Sequence, residues 1–265
     1  MNEIFSRNEL YWGEAFQQNL ASKNICILGL GGVGGYTAEM LVRAGIGNLT
    51  LVDFDTVSTS NINRQIIALK STVGEKKTTL LENRLKDINP NIKITTINDF
   101  YNENLNINFT KFDFVVDAID SMRSKIHLLE TCHKLNVPII SSMGAGNRLD
   151  PTQLYICDIS EIENKNAPFI SNIIYQLKKR GIEKGITVVA SREKPFSQEK
   201  INEIEQIETQ SGEFIEFNKI IPASTPFVAS TAGIIMAYHI IKEFRKWIYL
   251  LQAHQKVLEE QSLKN

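Results

Sequence analysis

The sequence predicts an α/β fold, with a doubly wound and mainly parallel sheet covered by helices on both faces. Two observations carry that prediction. Short β-branched apolar runs alternate with segments of helical spacing over residues 24–142, and a glycine-rich run joins the first strand of that series to its first helix. Strands buried on both faces read as continuous apolar runs, whereas a half-wet strand alternates.

In chain order, a short helix is expected at residues 13–20 and a strand at 24–28, Asn-Ile-Cys-Ile-Leu. Residues 33–44 place Ala38, Leu41 and Val42 on one helical face, and Gly45 and Gly47 stop the helix. Strand 49–52, helix 76–88, strands 92–96 and 112–116, helix 123–135 and strand 138–142 continue the alternation. Beyond Asp150 it weakens into two short apolar runs, 153–157 and 187–190, a charged stretch at 172–184, and a polar excursion at 195–211 expected to be exposed. The apolar stretch 220–241 contains Pro222, Pro226 and His239, whereas a bilayer span needs about 20 predominantly apolar residues. A buried core helix at 229–244 is expected instead, its last turn suited by Lys242, Arg245 and Lys246.

A chain of 265 residues with 43% hydrophobic content can bury one sizeable core. We read it as one domain over 1–265: a nucleotide-binding half at 5–150, a second half at 151–250 for substrate and dimer contacts, and a helical tail at 251–265. The net charge of −1 gives no global footprint for nucleic acid, so such a partner requires a local patch. Cys26, Cys132 and Cys157 are odd in number and far apart, which supplies neither a disulfide framework nor a paired zinc site. With no apolar signal-peptide core near Met1, a reducing, cytoplasmic setting is expected.

Chemistry concentrates between Gly29 and Asp120. Gly29, Gly31, Gly32 and Gly34 follow the first strand, where small residues let backbone amides approach phosphate oxygens and a helix N-terminus faces them, the Rossmann-like arrangement. Asp53, 19 residues beyond Gly34, suits a strand-end carboxylate that accepts ribose hydroxyls, and Asp55 follows it. Asn61, Asn63, Arg64 and Gln65 come next, and Gly74-Glu-Lys-Lys77 opens a helix. An arginine and a lysine from two loops at one sheet edge suit the β and γ phosphates of ATP and the charge that develops as pyrophosphate leaves. Hydride transfer has no need of them. Asp120 suits Mg2+ bridging the phosphates, with Asp117 capping or orienting the turn.

The motifs GLGGVG, LVDFDTVSTSNINRQ, GEKK and DAID resemble the ThiF/MoeB/HesA adenylating fold shared with ubiquitin-activating enzymes. The resemblance implies ATP and Mg2+, a carboxylate turned into an acyl adenylate, and a homodimer. Carried onto this sequence, it implies Asp53 for ribose, Asn61, Arg64 and Lys77 for phosphates, Asp120 for metal, and Arg7 reaching the phosphates of a partner subunit. Lys77 is preferred to Lys76 because the family spacing is Gly-x-x-Lys. The segments 141–152 and 185–195 further resemble the tRNA threonylcarbamoyladenosine dehydratase branch, which implies ATP-dependent cyclisation of that nucleoside in tRNA.

Many relatives use an acceptor cysteine and a zinc held by two Cys-x-x-Cys pairs. This chain has neither pair. Direct attack on the adenylate without zinc is therefore expected, with Cys157 as the alternative acceptor. Lys178, Lys179, Arg180, Lys184, Arg192 and Lys194 form the candidate tRNA patch, against the simpler reading of a solvated helix face. Two other functions fit the same motifs: adenylation of a sulfur-carrier or ubiquitin-like C-terminus, and a non-catalytic nucleotide-binding partner of a cysteine desulfurase.

Overall fold

The computed structural model describes residues 3–165, 167–196, 202–208, 214–220 and 222–262. Seven strands form one sheet: β1 (Asn24–Leu28), β2 (Asn48–Val52), β3 (Lys93–Ile97), β4 (Phe114–Asp117), β5 (Ile139–Ser142), β6 (Leu154–Asp158) and β7 (Thr187–Ser191). Their spatial order is β3-β2-β1-β4-β5-β7-β6. Every pairing is parallel except β6 with β7, which is antiparallel and forms the edge. The order reverses between β1 and β4, where doubly wound sheets open a crevice at their carboxyl ends.

Period-two geometry divides the strand residues between two apolar layers. Ile25, Ile27, Leu49, Leu51, Phe114 and Val116 pack under the helices α2 (Glu14–Ser22), α3 (Gly34–Ala44), α4 (Lys77–Ile88) and α7 (Pro226–Ser262). Cys26, Leu28, Val52, Val115, Ile139 and Val188 pack on the other face under α5 (Met122–Lys134) and α6 (Pro168–Lys179). Helix α3 stops as expected, with Gly45 left-handed at φ 104.

Four expectations need correction. An additional helix, α1 (Ser6–Trp12), precedes α2. The charged stretch is largely α6, started by Pro168 and anchored by buried Ile170, Ile173 and Leu177, whose spacing the surrounding lysines obscure. The excursion contains β8 (Asn202–Glu208), which pairs antiparallel with β9 (Phe214–Ile220) as a separate two-stranded sheet, while 197–201 and 209–211 lie outside the described residues. Helix α7 runs well past Phe244, and of the expected tail only 263–265 lie outside the described residues. Among the described residues, no helix is long and apolar enough to cross a membrane.

Candidate nucleotide-binding site

The glycine loop folds tightly between β1 and α3. Gly29 has φ 87, and a side-chain carbon there would lie 2.6 Å from the Ala118 carbonyl oxygen, on the turn that carries Asp120. A carbon at Gly34 would collide with the Gly29 carbonyl, so the loop closes on itself as α3 begins. The two halves of the motif also meet. A carbon on Gly31 would lie 3.6 Å from Gln65 Nε2, and one on Gly32 would lie 3.3 Å from Arg64 Cγ and 3.1 Å from Ala229 Cβ at the start of α7.

Asp53, just past β2, is buried and links this loop to the next. Its Oδ2 accepts the Leu30 N–H at 2.6 Å and its Oδ1 accepts the Asp55 N–H at 2.8 Å. A carboxylate has about four lone-pair sites, so ribose hydroxyls can share those oxygens. Burial, aided by the Asp55 charge, raises its pKa, against the pull of Lys77 and the two N–H donors. Lys77 opens α4 and is buried, whereas Lys76 is exposed. The Lys77 ammonium is 2.5 Å from Asp55 Oδ2, and its backbone N–H bonds the Asp55 carbonyl at 3.1 Å. Phosphate oxygens would have to compete with that carboxylate for the ammonium.

Asn61 is buried, and its Oδ1 accepts the Ser58 N–H at 3.1 Å, tightening the turn that presents Arg64. One Arg64 amino group donates to the Ser60 carbonyl and to Asn63 Oδ1, both at 2.9 Å. Asn63 donates in turn to the Ser224 carbonyl at 2.9 Å. Burial lowers the Arg64 pKa, and the nearby Asp120 charge opposes that shift. Arg64 and Asp120 therefore face one region from two sheet loops. Gln65 is buried with Oε1 lacking any hydrogen-bond partner, an acceptor turned inward beside the glycines.

Asp117 and Asp120 divide their work. Asp120 is exposed at the turn before α5, whereas Asp117 is fully buried. Asp117 does not cap α5. Its Oδ2 holds Lys125 Nζ at 2.6 Å and accepts the Ser141 hydroxyl at 2.6 Å, while its Oδ1 accepts the Ile119 N–H at 3.1 Å. Lys125 also donates to Ser141 Oγ and the Ser142 carbonyl. Sequence reasoning missed this network. The eight-residue spacing from Asp117 to Lys125 was its visible trace.

The segments 141–152 and 185–195 clasp each other. Leu149 and Asp150 donate their N–H groups to the Glu193 carboxylate at 2.9 to 3.0 Å, and Arg148 bonds the Glu193 and Gly144 carbonyls. Asn147 is left-handed at φ 59 and joins three segments. Its N–H donates to the Ala223 carbonyl at 2.6 Å, its Oδ1 accepts the Ala223 N–H at 2.8 Å, and its carbonyl accepts the Phe196 N–H at 2.7 Å.

The basic candidates fall into two groups. Lys178, Lys179, Arg180 and Lys184 lie at or beyond the C-terminal end of α6, whose start lies near the Gly144 loop through Phe169. Twelve residues of helix separate the two ends, about 18 Å. Arg180 pairs with Glu130 at 2.9 Å, and Lys179 sits 4.4 Å over the Tyr175 ring. Arg192 and Lys194 follow β7 at the carboxyl edge, but Arg192 is held by Glu163 and stacks 4.4 Å over Tyr155. Arg7 is exposed on α1, where neighbouring Asn8 donates to the Arg43 carbonyl at 2.8 Å, in the last turn of α3 and away from the glycine loop. Burial pushes the Cys132 thiol up to about 12 and the Cys157 thiol up to about 11, and raises Cys26 as well, so none is primed as a thiolate.

A glycine loop at the sheet's topological switch, a strand-end carboxylate, and an arginine, a lysine and an acid on successive loops define a nucleotide-binding α/β protein equipped for phosphate chemistry. The chain belongs to the ThiF family, whose sequence model matches residues 5–253. A tRNA threonylcarbamoyladenosine dehydratase of Bacillus subtilis is 40% identical over 95% of this chain and 98% of that protein. The solved structure of Escherichia coli tRNA N6-threonylcarbamoyladenosine dehydratase, TcdA, in complex with ATP is similar at a TM-score of 0.78 and 30% identity, over 93% of this chain and 96% of that one. A molybdopterin-synthase adenylyltransferase of E. coli is 38% identical over 51% of this chain and 53% of its own.

Proposed function

We propose that this chain uses ATP to dehydrate threonylcarbamoyladenosine in tRNA to its cyclic form. The observation that carries the reading is the packing of Gly31 and Gly32 against Gln65 and Arg64, in a chain similar almost end to end to a dehydratase. The threonyl carboxylate attacks the α phosphate of ATP, and pyrophosphate leaves. A nitrogen of the carbamoyl group then attacks the activated carbonyl carbon and loses its proton, and the carboxylate oxygen departs on AMP. The sum is a new ring and the loss of one water.

In this reading the glycine-loop amides and Asp53 seat the nucleotide, while Arg64 and Lys77 neutralise the departing pyrophosphate. Asp120 would hold Mg2+, which supplies charge neutralisation of the phosphates when bound. Among the described residues no group of three metal-ligating side chains occurs, and the exposed Asp120 carboxylate fits an ion that takes most of its ligands from phosphates and water. The raised thiol pKa values of buried Cys26 and Cys132 and of half-buried Cys157 support direct attack on the adenylate rather than an acyl-thioester. Adenylation of a sulfur-carrier protein fits less well, because the E. coli molybdopterin-synthase adenylyltransferase is similar over 51% of the chain, against 95% for the B. subtilis dehydratase. A cysteine desulfurase as partner and a cytoplasmic site of action are carried forward as parts of this proposal.

We also assign a homodimer in which Arg7 reaches the partner's phosphates. Asn8 is tied to the far end of α3, about 16 Å of helix from the chain's own glycine loop. Leu10 and Tyr11 are 82% and 73% exposed, and α7 carries exposed Phe227, Ile234 and Tyr238 on one face. Arg245 joins the two helices, 5.3 Å from the Tyr11 ring.

The test incubates the protein with ATP, Mg2+ and tRNA bearing threonylcarbamoyladenosine, then weighs the released nucleosides. That nucleoside should lose the mass of one water, with AMP formed in step. Asp120→Ala should slow the reaction about 100-fold or more. An unchanged nucleoside, with pyrophosphate exchange into ATP supported by a sulfur-carrier protein instead, would transfer the assignment to the carrier-activating class.

A further inference from the structure

The segment 141–152, which sets this branch apart in sequence, contacts the phosphate arm through an unbroken relay. Asn147 grips Ala223 by two hydrogen bonds, of 2.6 and 2.8 Å. The next carbonyl, of Ser224, accepts from Asn63 Nδ2 at 2.9 Å. Asn63 Oδ1 then accepts from Arg64 at 2.9 Å. The Asn63 side-chain amide donates and accepts at once, whereas at Asn147 the side-chain oxygen accepts and the backbone N–H donates. Asn147 also tolerates the left-handed backbone that its place demands, at φ 59.

We propose that Asn147 is a positioning residue for Arg64: its grip on Ala223 sets the Ser224 carbonyl, which orients Asn63 and through it the guanidinium. Gly146 reinforces the docking, since a side-chain carbon there would lie 2.6 Å from Pro222 Cβ. Arg64 is only partly buried, and the Ser60 carbonyl that it also bonds lies on its own turn. The relay ties its direction to the second half of the chain. Because Asn147 also holds Phe196, the relay places the arm that binds phosphates and the loops that follow β5 and β7 in one rigid unit.

The assignment of Arg64 to the β and γ phosphates rests on the proposed function, but the relay can be tested without turnover. Binding of fluorescent ATP and AMP analogues, each with Mg2+, reads whether Arg64 is correctly aimed, since AMP lacks the phosphates it is assigned to hold. Asn147→Gly keeps the left-handed backbone and removes only the side-chain acceptor. It should weaken ATP analogue binding about ten-fold and leave the AMP analogue unchanged, the scale of one hydrogen bond acting through a charged group. Asn147→Asp retains an acceptor and should restore ATP preference to within about two-fold of the parent. Asn63→Ala should match Asn147→Gly, and the double variant should be no worse than Asn63→Ala. Equal loss for both nucleotides, or losses that multiply in the double variant, would overturn the relay. Should Asn147→Gly fail to fold, Asn63→Ala decides alone, and an unaltered ATP preference in it overturns the relay. Should the protein bind ATP yet leave tRNA unmodified, the dehydratase reading fails while the relay stands on its own result.

Discussion

Among the described residues Lys125 is the largest fully buried side chain, and its ammonium is matched by one carboxylate, one hydroxyl and one carbonyl. A buried ion pair contributes little net stability, but removing one partner strands the other at a cost of about 3–5 kcal/mol. Lys125→Met should lower the unfolding free energy measured by urea titration by an amount on that scale, moving the midpoint down, and adding Asp117→Asn should recover part of it. A midpoint unchanged by Lys125→Met would show that water reaches the network. At this scale the sequence showed residue types better than residue partners. Asp53, Arg64, Lys77 and Asp120 could be named from spacing because short loops carry them to one sheet edge. The Asp117 network could not, since Ser141 lies 24 positions away on another strand and meets Asp117 only once β4 and β5 pair in register.

Among the elements, the helices with clean apolar periodicity were legible and those with mixed surfaces were not. Helix α6 hid among lysines, and α1 buries no residue along its length. Only Trp12 of α1 packs partly against the core among its apolar side chains, which leaves exposed Leu10 and Tyr11 for a second copy. The dimer assignment predicts complementation at this level. Separately inactive Arg7→Ala and Asp120→Ala chains, mixed and allowed to exchange, should regain up to about one quarter of parental activity, because half of the chains pair as heterodimers with one intact site. No recovery, with exchange confirmed by mass, would place the arginine in its own subunit's site or outside the chemistry.

For the whole molecule, the parallel order and the crevice at its reversal followed from the strand-helix alternation. The antiparallel edge did not, because β6 carries the same kind of short apolar run as its parallel neighbours and only its partner, β7, sets its direction. Global stability has a pH dependence that can be read from α7. Burial against Phe114 lowers the His239 pKa, with Lys242 and Lys246 adding to the shift and Glu243 opposing it. A neutral imidazole is thus favoured in the folded state. The unfolded chain binds the proton more readily, so stability is complete above an unfolded pKa of about 6.5 and declines as pH falls from there through the lower folded value. The thermal midpoint should drop over that window, and His239→Gln should flatten the drop. An equally steep profile in that variant would assign the pH dependence to other groups.

The bonds from Thr37 to the Gly233 carbonyl and from Asn63 to the Ser224 carbonyl span 196 and 161 positions of chain. During synthesis the glycine loop therefore exists long before the residues that brace it. Competence to hold ATP should arrive late, when α7 has emerged and docked, so an unfinished chain has no braced phosphate arm with which to consume nucleotide.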